Sequence, residues 1–304
     1  MERTALGELI SWKNKAGRKP LIIRGARQVG KTWLMKEFGR TEYAQTAYVN
    51  FESSKRLKNL FVENFDIARI VMAIEIETGI QINPSNTLLI LDEIQEADGA
   101  IASLKYFHEN APQYHIIAAG SLLGVALHAS NSFPVGKVEF LDMHPFTFTE
   151  FLHALGQQSL VKLLRSGDWI LIKSFKDKFI HLLRQYYYIG GMPEAISSFI
   201  QNNDFREVRD IQKRILMAYE LDFSKHAPSD IVPRIRMLWN SIPLFGCREN
   251  KEFIYGAVKS GSRAKDYELA LSWLLDCGLI FPRLIVSLSR IIPLKAYEDS
   301  AACF

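Results

Sequence analysis

Eight residues near the N-terminus restrict what this chain can fold into more than anything that follows them. Gly25-Ala26-Arg27-Gln28-Val29-Gly30-Lys31-Thr32 fits the pattern G-x-x-x-x-G-K-[ST], and the apolar run Leu21-Ile22-Ile23 leads into it. Each fixed position has a physical reason. Gly25 and Gly30 permit backbone turns closed to residues with a Cβ and let main-chain amides approach an anion. Successive N–H groups then form a nest that opens onto a helix N-terminus. Lys31 supplies a point charge for β- and γ-phosphates, and the Thr32 hydroxyl suits the coordination shell of Mg²⁺. Trp33 to Phe38 continue with helix-forming composition. The expectation is a strand–loop–helix unit holding a nucleoside triphosphate on residues 25–32, with Trp33 beside it.

A second stretch fits the first. Thr87-Leu88-Leu89-Ile90-Leu91 ends in Asp92-Glu93, about sixty residues downstream. An unbroken apolar run reads as a strand buried on both faces, which carries its terminal acids into a site. This is a Walker B pattern: Asp92 to hold Mg²⁺, Glu93 to orient or deprotonate the attacking water. Further strands are expected near 20–24, 44–51, 115–119 and 137–141, with a helix from Lys55 to about Thr78 and another from Gly99 to Glu109. The fold class expected is α/β, a mainly parallel five-stranded sheet. Ser121 stands just past the fourth strand, either as a γ-phosphate sensor or as a cap for the next helix.

With 304 residues, 48% of them hydrophobic, the chain can bury a core of two or three domains. The reading is an ATPase core over 1–155, a helical lid over 156–230 and a winged-helix-like module over 231–304. That module rests on a short helix, Phe253 to Val258, a turn, Ser260 to Ser262, and an amphipathic helix, 263–277, opened by Arg263 and Lys265. Pro228 and Pro233 bracket an expected linker before it. Charges are balanced, 37 basic against 33 acidic, which argues weakly for nucleic acid. Cys247, Cys277 and Cys303 are too few and too scattered for a disulfide framework, which points to a reducing cytoplasm. No apolar stretch has the length of a membrane span, and no coiled-coil heptads appear, so the expectation is a monomer or weak oligomer without a membrane partner.

The string IIRGARQVGKT, followed by YVNFE, LLILDEIQ and AAGSLLG, resembles the bacterial and archaeal AAA-type ATPases that carry a C-terminal domain of unknown function. These are close to STAND-type signalling ATPases. MHPFTFTEFL and GGMPEA are similar to later segments of the same family. The resemblance implies ATP and Mg²⁺ as ligands. It assigns phosphate and metal binding to Lys31 and Thr32, the metal to Asp92, catalysis to Glu93 and sensing to Ser121. It further implies that Asn50, at the end of the second strand, pairs with the catalytic glutamate and holds it inactive. Pro193 would pack on the adenine. Arg184, Arg206, Arg209 and Arg214 are available as a charge-stabilising finger. Members of the family continue into a nuclease-like domain, whereas this sequence stops at Phe304, which reads as a truncated form.

Three functional classes remain open at this stage. The first is an ATPase working as a nucleotide-driven conformational switch. The second is a nucleotide-gated module that binds DNA or protein through the winged helix with little hydrolysis; residues 234–290 hold nine basic and five acidic residues, too mild to demand DNA. A GTPase is disfavoured because no NKxD base-reading motif follows the loop.

Overall fold

The computed structural model describes residues 1–54, 56–61, 65–120, 133–246, 264–280, 283–284 and 302–303. It divides into two compact units, residues 1–215 and 216–304.

The first unit is built on a five-stranded sheet in the order β2-β3-β4-β1-β5, with every neighbouring pair parallel. Its strands are β1 (Leu21–Arg24), β2 (Gln45–Asn50), β3 (Thr87–Asp92), β4 (His115–Ala119) and β5 (Glu139–Asp142). Between them run α1 (Thr4–Lys13), which precedes the sheet, α2 (Lys31–Glu42), α3 (Ile67–Thr78) and α4 (Ala100–Asn110). The strand β4 lies between the loop-bearing β1 and the acid-bearing β3.

Parallel strands alternate their side chains in step, so one face of the sheet is a single apolar surface. Ala47, Val49, Leu89, Leu91, Ile116, Ala118 and Ile22 pack there against Ile70 and Ile74 of α3 and Leu104 and Phe107 of α4. All six residues of β3 are buried, which accounts for the unbroken apolar reading of that strand. On the other face, Trp12 of α1 meets Phe38 of α2 and His115 of β4, with ring centroids 6.4 Å and 6.3 Å away.

Two element boundaries differ from the sequence reading. The helix expected from Lys55 begins only at Ile67, because Asp66 caps it: its carboxylate accepts from the amides of Ala68 (2.9 Å) and Arg69 (3.4 Å). Upstream, the chain makes turns anchored by aromatic contacts, Phe51 on Phe61 at 5.6 Å and Phe65 stacked on Tyr106 at 4.5 Å. Pro233 does not sit in a linker either. It occupies the first turn of the helix Val232–Gly246, where a missing N–H costs nothing.

After β5 the unit is helical, through Phe148–Ala154, Gln158–Ser166, Trp169–Ser174, Lys176–Ile189 and Pro193–Asn202. The second unit contains the helices Val232–Gly246 and Glu268–Asp276 and the short strand pair Arg283–Leu284 and Ala302–Cys303. Its core joins Phe223 to Trp239 at 5.4 Å and to Trp273 at 5.6 Å. Phe253 to Val258 and Ser260 to Ser262, on which the winged-helix expectation rested, lie outside the described residues, and the module is not confirmed. No helix among the described residues is long and apolar enough to cross a membrane.

Candidate nucleotide site

The loop Gly25 to Gly30 leaves the C-terminal end of β1 and opens α2, with the β3 acids two strands away at the same end of the sheet. Gly25 has φ +140°, and a Cβ on it would fall 2.1 Å from the Met143 carbonyl oxygen, so only glycine fits. Gly30, at φ +96°, is the residue from which α2 begins. Gln28 adopts φ +65° without being glycine, and such strain concentrates where a loop is shaped for a ligand.

Lys31 is 7% exposed, and its ammonium donates to the carbonyls of Gly25 and Ala26, both at 2.8 Å. Burial lowers its pKa to about 8, against the opposing pull of Glu93 and Asp92. The charge is thus folded into its own loop, close to both acids. The Thr32 hydroxyl donates to Asp92 Oδ2 at 2.7 Å. The other carboxylate oxygen accepts from the Glu93 amide at 3.1 Å.

Glu93 itself takes a left-handed backbone, φ +50° and ψ +47°, at the start of a 3₁₀ turn over Ile94–Glu96. This turns its side chain away from the strand direction, and Gln95 Nε2 donates to Glu93 Oε2 at 2.6 Å. The Asn50 carboxamide oxygen accepts from the amides of Glu52 (2.9 Å) and Ser53 (3.3 Å). One donor to Glu93 thus comes from two residues along the same turn. Ser121 lies outside the described residues.

Beside the loop lies a cavity of about 400 Å³, lined by Val29, Gly30, Trp33, Met143, Phe146 and Pro193, with Arg3 at its edge. Pro193 is brought there by a second glycine turn. Gly191 packs so tightly that a Cβ would fall 2.5 Å from the Phe146 carbonyl oxygen. The Gly191 carbonyl accepts from the Phe146 amide at 2.7 Å, and the Tyr186 hydroxyl donates to the Phe146 carbonyl at 2.7 Å. A Cβ placed on Gly30 would stand 3.6 Å from the Pro193 ring. The proline and the loop thus share one wall.

Sequence reasoning missed three residues at this end of the unit: Tyr48, Gln95 and Arg3. Arg3 is 5% exposed, lies 4.1 Å over the Phe146 ring, faces Glu150 at 3.5 Å and donates to the His144 carbonyl. Burial lowers its pKa while Glu150 raises it. Tyr48 and Gln95 lie within the strings YVNFE and LLILDEIQ, which assign them no role, and Arg3 lies in no quoted motif.

Comparison with known proteins agrees with the architecture. The profile of the AAA domain family matches residues 17–152, and that of a domain of unknown function matches residues 180–291. The Walker-type ATPase PABY2304 of Pyrococcus abyssi superposes with a TM-score of 0.57 at 15% identity, covering 93% of this chain and 91% of that one. At that identity the likeness speaks for the fold alone. AMPPCP-bound DnaA from Aquifex aeolicus, at 15% identity, covers 89% of this chain and 85% of its own with a TM-score of 0.36. The Aeropyrum pernix ORC1 protein in complex with DNA, at 12% identity, covers 93% and 84% with a TM-score of 0.35. Both are too distant in structure to carry an argument. No curated protein matches the chain.

Proposed function

We propose that the chain, whose residues 17–152 match the AAA domain family, is an Mg²⁺-dependent ATPase whose nucleotide cycle drives a conformational switch. The observation that carries this reading is the 2.7 Å bond between Thr32 of the loop and Asp92 of β3, with Lys31 buried next to it. Two hard oxygens side by side fit Mg²⁺, which takes one or two protein groups and fills its shell with phosphate oxygens and water. Bound there, Mg²⁺ would neutralise charge on the β- and γ-phosphates.

The chain's own residues supply the rest. The amides of residues 25–32 would hold the phosphates, and Lys31 would exchange two loop carbonyls for phosphate oxygens. Glu93 would accept a proton from the attacking water once it leaves Gln95. That release is the step that turns nucleotide binding into hydrolysis. The apolar cavity between Trp33 and Pro193 would take adenine, with Pro193 packed on the ring. Since Pro193 begins the helix Pro193–Asn202, occupancy of that cavity would bear directly on the helical region after β5, which gives the switch its lever.

Binding of ATP and of inorganic triphosphate to native and Pro193→Ala protein tests this arrangement. The expected result is an about ten-fold loss for ATP, roughly 1.4 kcal/mol of base contact, with triphosphate unaffected. Equal loss for both ligands would show that Pro193 supports the loop and not the base.

A further inference from the structure

Thr32 and Asp92 are not the only polar groups gathered at the metal end of the sheet. The register of β2 against β3 pairs Tyr48 with Ile90 and Asn50 with Asp92, which puts Tyr48 and Asp92 on one face, two residues apart along the strands. Tyrosine is long enough to span that offset. Its hydroxyl donates to Asp92 Oδ2 at 2.9 Å, the same oxygen that accepts from Thr32 at 2.7 Å. With Oδ1 taken by the Glu93 amide, both oxygens of the carboxylate are held by donors.

The tyrosine is itself fixed. The Lys36 ammonium lies 3.9 Å from its ring centroid, and Asn50 Nδ2 donates to its hydroxyl oxygen at 3.4 Å. A tyrosine hydroxyl carries its proton at neutral pH and so acts here as the donor. Asn50, braced by the Glu52 and Ser53 amides, thus supports Tyr48.

We propose that Tyr48 is a positioning residue for the Mg²⁺ site, holding the Asp92 carboxylate turned toward Thr32 so that the cation meets two oxygens already aligned. The inference deepens the ATPase reading and rests on it. Mg²⁺ demands near-ideal octahedral geometry, so a ligand free to swing costs it more than it would a looser cation. Partners that orient a metal ligand are worth about 10–100-fold in metal affinity. Tyr48→Phe removes only the hydroxyl and keeps the ring under Lys36, which separates orientation of Asp92 from packing.

The test is binding of a fluorescent ATP analogue to native and Tyr48→Phe protein, first in EDTA and then across a Mg²⁺ titration. The expected outcome is unchanged affinity in EDTA and an about ten-fold rise in the Mg²⁺ concentration that half-saturates the tightening of binding. Identical Mg²⁺ titrations would overturn the proposal. So would an equal loss with and without Mg²⁺, which is the mark of a packing role. A native chain that binds no analogue at all would instead bring down the ATPase reading, and this inference with it.

Discussion

At the scale of single residues, the candidate phosphate site is a set of charges kept close by burial. Lys31 stands between loop carbonyls and two acids, and its lowered pKa reflects the burial that nucleotide phosphates would offset. A separate half-buried group makes stability depend on pH. His115 accepts or donates at 2.6 Å to the Tyr43 hydroxyl, with Arg18 and Lys13 nearby, and its pKa falls to about 4, first by burial and then by those cations. A pKa depressed on folding means that the unfolded chain binds the proton more readily. The stability this neutral histidine contributes is therefore complete above about pH 6.5 and is lost as pH falls toward 4. Urea midpoints measured from pH 7 to pH 4 should fall less steeply in His115→Phe than in the native chain; parallel slopes would contradict the assignment. The roles proposed for Lys31, Thr32, Asp92 and Glu93 could be read from spacing because each belongs to a contiguous motif. Tyr48 and Gln95 could not. Tyr48 meets Asp92 only through the β2–β3 register, and Gln95 reaches Glu93 only because that residue adopts a left-handed backbone.

At the scale of elements, the loop after β1 and the Gly190-Gly191 turn are coupled through the segment after β5. The amide of Met143 donates to the Arg24 carbonyl at 2.8 Å, and Phe146 bonds Gly191. Gly191→Ala would drive a Cβ into backbone 2.5 Å away, and such overpacking costs about 1–3 kcal/mol. Pro193 would move with it, so ATP affinity should fall along with the melting temperature while inorganic triphosphate binding persists. Unchanged ATP affinity would separate the turn from the site. The sequence marked this turn only through family likeness, since Gly-Gly before proline also suits an ordinary helix–helix corner. Strands were legible where an apolar run ended in turn residues, as at β1 and β3. The start of α3 was not: the helical periodicity of 55–78 continues through residues that aromatic packing holds in turns, and the cap at Asp66 was passed over.

At the scale of the whole molecule, the described chain is a nucleotide-type α/β unit with its helices, followed by a second compact unit. The first was legible because two phosphate-site motifs at fixed order dictate a sheet. The second was not, because short amphipathic helices and a strand pair fit many small folds, and the first helix and turn that suggested the module lie outside the described residues. Ligand linkage gives a direct prediction for the first unit. Mg²⁺-ATP at about a hundred times its Kd should stabilise it by about 2.7 kcal/mol, visible as a raised melting temperature, and Lys31→Ala should erase the gain.

Turnover of ATP with Mg²⁺ in native, Glu93→Gln and Lys31→Ala protein tests the central claim most directly. Hydrolysis by the native chain, ATP binding without hydrolysis in Glu93→Gln, and loss of both in Lys31→Ala are the predicted results. A native chain that binds ATP yet turns it over no faster than Glu93→Gln would contradict the account.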